Sequence, residues 1–379
     1  MKNLISVSIT IIFLMVFSNC SNTTQEVKVL QETKPSSVNE FELLISLVEK
    51  AGLTMNNPEA PFIVDALDVF YNKSNYLVID IRDSLLYIDG HIDGAKNIKF
   101  SKLLNFMETS AKPEGYEKVV LACNNGQQSA FATTALRMAG YGNTYSLRWG
   151  MSSWSKNLAA TQWGQKISDK YTSALVTEQY SKARSENKPT INTGKKESIQ
   201  ILKKRVSTVI EKGFKPYKIT IDSVMQNPDH YYIINYWPDT IYKQGHLPGA
   251  HQYLPRNSLT STTDLYTLPT NKEIVVYCYT GQFSSAIAAY LNILGYKCKS
   301  IVFGANGFMY NRLGSYGEQW PRFNLAEDAL NLPLIKGNKP SLADSLINSE
   351  KNTDNSVVST PVLPPPPSGN KKKRVQGGC

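Results

Sequence analysis

Cys123-Asn124-Asn125-Gly126-Gln127-Gln128-Ser129 places a sulfur nucleophile ahead of a glycine three positions on and a serine six positions on. The pattern returns as Cys278-Tyr279-Thr280-Gly281-Gln282-Phe283-Ser284, 155 positions later (278 against 123). A cysteine attacks or carries sulfur only as the thiolate, and an unperturbed thiol at neutral pH is mostly protonated. Each copy follows a short apolar run (Lys118-Val119-Val120-Leu121-Ala122; Glu273-Ile274-Val275-Val276-Tyr277) and precedes a helical pattern (Gln128 to Met138; Phe283 to Leu294). Each cysteine is therefore predicted to sit where a buried strand turns into a helix. Backbone N–H groups point at an anion there, and the helix dipole adds partial positive charge. Gly126 and Gly281 let the backbone curl around the sulfur, and Ser129 and Ser284 are expected to cap the helices behind it. The neighbours Asn124, Asn125, Gln127, Gln128, Tyr279, Thr280, Gln282 and Phe283 are neutral. Any preference for anions must come from the backbone.

A lone cysteine in such a place is as readily a small apolar residue ending a strand. Two of them, with the same glycine and serine behind, read as reactive thiols rather than as disulfide partners. His91 and His246 recur at the same offset but have no carboxylate or second histidine at metal-ligand spacing. Both read as hydrogen-bonding residues of a Gly-His-x-x-Gly-Ala turn, and neither a metal nor a cofactor is expected. Cys298 reads as a packing residue at the start of a strand.

The elements that must hold these loops repeat with them. Tyr76-Leu77-Val78-Ile79-Asp80 falls on Tyr231-Tyr232-Ile233-Ile234-Asn235, Gly90 to Ala95 on Gly245 to Ala250, and Gly140-Tyr141 on Gly295-Tyr296, without a gap from Pro61 to Tyr141. That offset is the period of a whole domain, too long for a solenoid repeat. Short apolar strands alternating with helical patterns argue for an α/β fold in each copy, a mainly parallel sheet flanked by helices, with the ligand site at the carboxyl ends of the strands. The expected division is 1–19 signal peptide, 20–40 polar tether, 41–163 first domain, 164–196 linker, 197–325 second domain and 326–379 disordered tail.

With 379 residues and 41% hydrophobic content the chain can bury cores of this size. Of its formal charge of +10, four units lie in Lys371-Lys372-Lys373-Arg374. That excludes a nucleic-acid-binding fold as the economical reading and leaves a general attraction for small anions. Lys2, the apolar run Leu4 to Phe17 and Cys20 ahead of a polar stretch resemble a bacterial lipoprotein signal with a lipid-attachment cysteine. The folded part is then expected to be exported and lipid-anchored, facing periplasm or cell surface. The tail, rich in proline and lysine, ends in Gly377-Gly378-Cys379. A coil from Pro340 to Cys379 spans roughly 30 to 40 Å, enough for Cys379 to act as a sulfur carrier that reaches a loop, although an incidental exposed thiol is the simpler reading.

Val78-Ile79-Asp80-Ile81-Arg82, Gly90-His91-Ile92-Asp93-Gly94-Ala95, the Cys-x-x-Gly-x-x-Ser loop and Trp149-Gly150-Met151-Ser152-Ser153-Trp154 together resemble the rhodanese sulfurtransferases. The resemblance covers about residues 60 to 155 and again 215 to 312. It implies two rhodanese-like domains, each with a five-stranded, mainly parallel sheet. It also implies a ping-pong reaction in which Cys123 and Cys278 take a sulfane sulfur from thiosulfate, polysulfide or a similar donor and pass it to cyanide or a thiol whose identity stays open. Asp80, Arg82, His91 and His246 are the expected supporting residues. The second copy departs from the first, with Asn235 and Trp237 at the places of Asp80 and Arg82. With Gly307 matched to Gly150, Asn311 falls at the place of Trp154. A non-catalytic sulfur-binding or interaction module and phosphatase or arsenate-reductase chemistry are the alternatives that such a fold also admits.

Overall fold

The Val- and Ile-rich runs form strands, as both faces of each are covered by helices and almost every residue is buried. In the computed structural model, β1 (Ile63–Val64), β2 (Tyr76–Asp80), β3 (Lys96–Asn97), β4 (Lys118–Ala122) and β5 (Thr144–Leu147) make one five-stranded sheet in the order β1-β5-β4-β2-β3. A second sheet, β6 (Lys218–Ile219), β7 (Tyr231–Asn235), β8 (Ala250–Gln252), β9 (Glu273–Tyr277) and β10 (Cys298–Ile301), repeats that order as β6-β10-β9-β7-β8. Every pairing is parallel. The register sets Asp80 beside Ala122 and Asn235 beside Tyr277, each one residue before a loop cysteine. The structure describes residues 39–185, 187–317 and 321–337; Cys20, the signal and most of the tether, Cys379 and residues 338–379 lie outside them.

Four long helices carry the packing: α1 (Glu40–Lys50), α2 (Gln127–Met138), α3 (Ser198–Glu211) and α4 (Gln282–Ile293). The helices behind the two cysteines, α2 and α4, pack on each other, and α3 touches both. One hydrophobic cluster runs from Leu44 and Phe131 through Val206 and Ile210 to Ile287 and Leu291, so the two repeats share a core. The exchange is reciprocal. Phe41 of α1 meets Tyr296 of the second repeat at 6.2 Å, while Phe214 and Tyr217, which follow α3, meet Phe131 of the first at 5.4 and 4.9 Å. Arg205 of α3 donates to the carbonyls of Asn292 and Ile293 at the C-terminal end of α4.

Between the repeats, the stretch expected as linker is laid on the second one. Val176 and His246 exchange backbone hydrogen bonds of 2.9 and 3.0 Å, and Tyr171 N–H donates to Phe308 O at 3.1 Å.

The expected disordered tail begins too early. Residues 326–337 return to the first repeat: Leu330 N–H donates to Ser153 O at 2.9 Å, Leu332 N–H to Trp154 O at 2.7 Å, and the Trp154 indole to Pro333 O at 2.8 Å. His91 and Ile335 exchange backbone bonds of 3.0 and 2.9 Å. Leu330, Leu332 and Leu334 alternate and pack with the cluster around Trp154. Three leucines are too short a pattern to announce a strand, and what orders them is the apolar surface they cover. Among the described residues no helix is long and apolar enough to cross a membrane.

Candidate active site

Each cysteine lies one residue beyond a central strand, and the following glycine turns the chain into a helix. Gly126 and Gly281 adopt the left-handed conformation, with φ of 85° and 80°, and stand at the first cap of α2 and α4. The turn aims amide hydrogens back at the sulfur. Gly126 and Ser129 N–H donate to Cys123 Sγ at 3.2 and 3.4 Å; Gly281 and Ser284 N–H donate to Cys278 Sγ at 3.3 Å each.

The serines therefore do not cap the helices, as the sequence suggested. They lie in the first helical turn, with Ser129 Oγ 3.4 Å from Cys123 Sγ and Ser284 Oγ 3.7 Å from Cys278 Sγ. A second serine on the neighbouring strand holds each hydroxyl: Ser146 Oγ at 2.8 Å and Ser300 Oγ at 2.7 Å. Sequence reasoning missed this pair. Their spacing of 154 (300 against 146) rather than 155 was the available signal.

The same one-residue step corrects a match made from the sequence. Gly304, not Gly307, is the counterpart of Gly150. A Cβ on Gly150 would lie 2.2 Å from Cys123 O and 2.6 Å from Gly126 N, and a Cβ on Gly304 would lie 2.4 Å from Cys278 O and 2.6 Å from Gly281 N. Met151 and Ala305 N–H then bond Cys123 O and Cys278 O at 2.7 and 2.9 Å. Phe308, not Asn311, thus stands where the first repeat has Trp154. The turn after Tyr141 is one residue longer than the turn after Tyr296, since β5 opens at Thr144 and β10 at the buried Cys298.

The remaining loop residues shape the turn. Asn125 Oδ1 accepts Gln127 N–H and Thr280 Oγ1 accepts Gln282 N–H, both at 3.2 Å. Asn124 O accepts Ser152 N–H and hydroxyl, whereas Asn124 Oδ1 is buried with no hydrogen-bond partner. Gln128 is half-buried on α2, and Phe283 packs edge-on against Tyr236 at 5.0 Å. Gln127 and Gln282 point away from their own cysteines, across to the other repeat.

Beneath the loops the two repeats are braced differently. In the first, Arg82 and Asp80 form a buried ion pair, with Arg82 Nη2 2.6 Å from Asp80 Oδ2 and 2.7 Å from Gly90 O. In the second, Asn235 Nδ2 and Leu247 N–H donate to the Tyr277 hydroxyl at 2.7 and 3.2 Å, and Trp237 stacks on Tyr279 at 4.8 Å. Burial pushes the Tyr277 phenol well above its ordinary range, so it stays a neutral bridge. Removing one partner of a buried pair strands the other charge. An Asp80→Ala variant is accordingly expected to lose about 3 to 5 kcal/mol in urea unfolding, and a loss below about 1 kcal/mol would contradict this bracing role.

His91 and His246 stand off the sulfur atoms as turn residues. Each has Nδ1 2.8 Å from the carbonyl four residues before it, of Tyr87 or Tyr242, and each stacks on that tyrosine at 3.7 Å. Among the described residues no group of three or more His, Cys, Asp or Glu side chains could hold a metal ion.

Four rings cluster around Trp149 and Phe303, whose N–H groups bond the loop glutamines Gln282 and Gln127. Trp163 meets Trp149 at 4.9 Å, Phe303 at 5.0 Å and Phe323 at 5.2 Å. Cys123 is 1% exposed and Cys278 is fully buried.

Residues 64–157 and 223–310 match the family described as Rhodanese-like domain. Over 77 residues the chain is 34% identical to the thiosulfate sulfurtransferase GlpE of Shewanella oneidensis, an alignment covering 20% of this chain and 73% of that protein. Over 81 residues it is 37% identical to the probable adenylyltransferase/sulfurtransferase MoeZ of Mycobacterium tuberculosis, covering 21% of this chain but only 20% of that relative's length. A rhodanese-related protein from Thermoplasma volcanium aligns at 28% identity over 24% of this chain and 89% of its own, with a TM-score of 0.22. With the doubled sheet order and the paired cysteine loops, the family match in both repeats and the 34% identity over 73% of GlpE place the chain in the rhodanese-like domain family, whose domain it carries twice.

Proposed function

We propose that the protein is a sulfurtransferase that carries a sulfane sulfur on its loop cysteines. The observation that carries this reading is the pair of amide N–H groups on each sulfur, at 3.2 to 3.4 Å in both repeats. Fixed amide donors in a site closed to water stabilise a thiolate or persulfide anion without reorganising. A cysteine thiolate attacks the outer sulfur of thiosulfate, the S–S bond breaks, and sulfite leaves with the electron pair. The resulting Cys–S–S⁻ is then attacked at its terminal sulfur by a thiolate or cyanide, and the cysteine thiolate departs. One difficult transfer becomes two easier ones. Polysulfide can donate in the same way. An anchor through Cys20 and a carrier role for Cys379 belong to the same proposal and rest on the sequence alone.

The test is mass spectrometry of the intact protein and its peptides after exposure to thiosulfate or polysulfide. A gain of one sulfur (about 32 Da) on the peptides of Cys123 and Cys278 is expected, reversed by cyanide. The deep burial of both sulfurs favours a second reading, a rhodanese-like module that transfers nothing. Unmodified loop cysteines with every donor would establish that reading instead.

A further inference from the structure

Gln127 and Gln282 stand one residue after the loop glycines, yet each side chain works in the opposite repeat. Gln127 Oε1 accepts the N–H of Phe303 at 2.9 Å. Gln282 Oε1 accepts the N–H of Trp149 at 3.3 Å, and its Nε2 donates to Gly126 O at 3.4 Å. Phe303 and Trp149 immediately precede Gly304 and Gly150, the glycines that lie against the two cysteine loops. The amides also fill the space above the donor glycines: a Cβ on Gly126 would meet Gln282 Nε2 at 2.3 Å, and one on Gly281 would meet Gln127 Oε1 at 2.8 Å. Both side chains are almost completely buried, and Gln127 Nε2 has no hydrogen-bond partner. Burying an amide with a free donor is unfavourable. A methionine or leucine would fill the same volume without that cost, so packing alone does not explain the glutamine.

We infer that the two thiol loops complete each other: Gln127 is a positioning residue for Cys278, and Gln282 is one for Cys123. Gly281 N–H donates to Cys278 Sγ, and the Gln127 amide presses on that glycine while fixing the Phe303–Gly304 segment behind it. Gln282 does the same for Gly126, Trp149 and Gly150 around Cys123. The repeats are thereby coupled at the sulfur, and a separated single domain lacks one wall of its own site. The inference concerns the site that the proposed sulfur transfer uses, but its test needs no sulfur donor.

The full chain is alkylated with iodoacetamide across a range of pH, and each cysteine is followed separately by peptide mass spectrometry. The position of each pH profile reports how well the anion is held. In Gln127→Ala the Cys278 profile is expected to move up by about one pH unit, a tenfold smaller thiolate fraction at a given pH, with the Cys123 profile unmoved. Gln282→Ala is expected to give the mirror result. Gln127→Met and Gln282→Met keep the volume and remove the hydrogen bond, so they report the effect even where an alanine variant unfolds. An effect confined to the cysteine of the same loop, an equal effect on both, or unchanged profiles in the methionine variants would overturn the inference. Failure of persulfide formation in the parent protein would count against sulfur transfer and leave this coupling intact.

Discussion

A Cys123→Ser, Cys278→Ser double variant is expected to lose thiosulfate-to-cyanide sulfur transfer by about a thousandfold or more, while its urea midpoint stays near that of the parent. A serine hydroxyl is nearly isosteric with the thiol and finds the same donors, Gly126 and Ser129 in one loop and Gly281 and Ser284 in the other. It is not ionised at neutral pH and forms no persulfide, so chemistry is removed and packing is kept. The single variants then divide the work. Independent loops leave each single variant with the rate of the remaining cysteine. A sulfur that passes through both loops makes either single variant as inactive as the double. Turnover above about a tenth of the parent rate in the double variant would sink the assignment of the loop cysteines as sulfur carriers.

A second large effect is expected at a position with no chemistry of its own. Gly150 has φ of 60° and ψ of −148°, a region that essentially only glycine occupies. Its missing Cβ would lie 2.2 Å from Cys123 O, 2.6 Å from Gly126 N and 2.8 Å from Asn125 N. These are backbone atoms of the cysteine loop and cannot swing aside as the end of a long side chain would. Gly150→Ala therefore combines a forbidden backbone conformation with overpacking, and a loss of about 3 kcal/mol or more in urea unfolding is expected. The loop also has to move, so persulfide formation at Cys123 should fail under conditions in which the folded fraction remains high. The matching Gly304→Ala change is expected to act on Cys278. A Gly150→Ala protein within about 1 kcal/mol of the parent and fully reactive at Cys123 would show that the close approach is not needed.

The duplication, the parallel α/β class of each half and the two cysteine loops were legible in the chain because they are local. A strand period, a glycine three residues after a cysteine and an offset of 155 need no knowledge of the other half. The family resemblance rested on the same local motifs. Where the register slipped by one residue in a turn, the reading slipped too, placing Gly307 where Gly304 stands. The backbone contacts that identify Gly304 as the partner of Gly150 exist only once the strands are paired. The tail misled for a related reason: Leu330, Leu332 and Leu334 carry no meaning until Trp154 and its neighbours offer them a surface.

By itself, then, the sequence determined that a thiol stands just ahead of a glycine and the start of a helix, and that it does so twice, since these residues lie close together in the chain. Only the tertiary structure decided that Ser146 and Ser300 hold the serines beside the sulfurs, that the first repeat is braced by an ion pair and the second by a tyrosine, and that Gln127 and Gln282 reach into each other's loops. Those contacts join residues up to 176 positions apart. They depend on how α2 and α4 pack, and no local pattern in a single sequence encodes the meeting of two distant side chains.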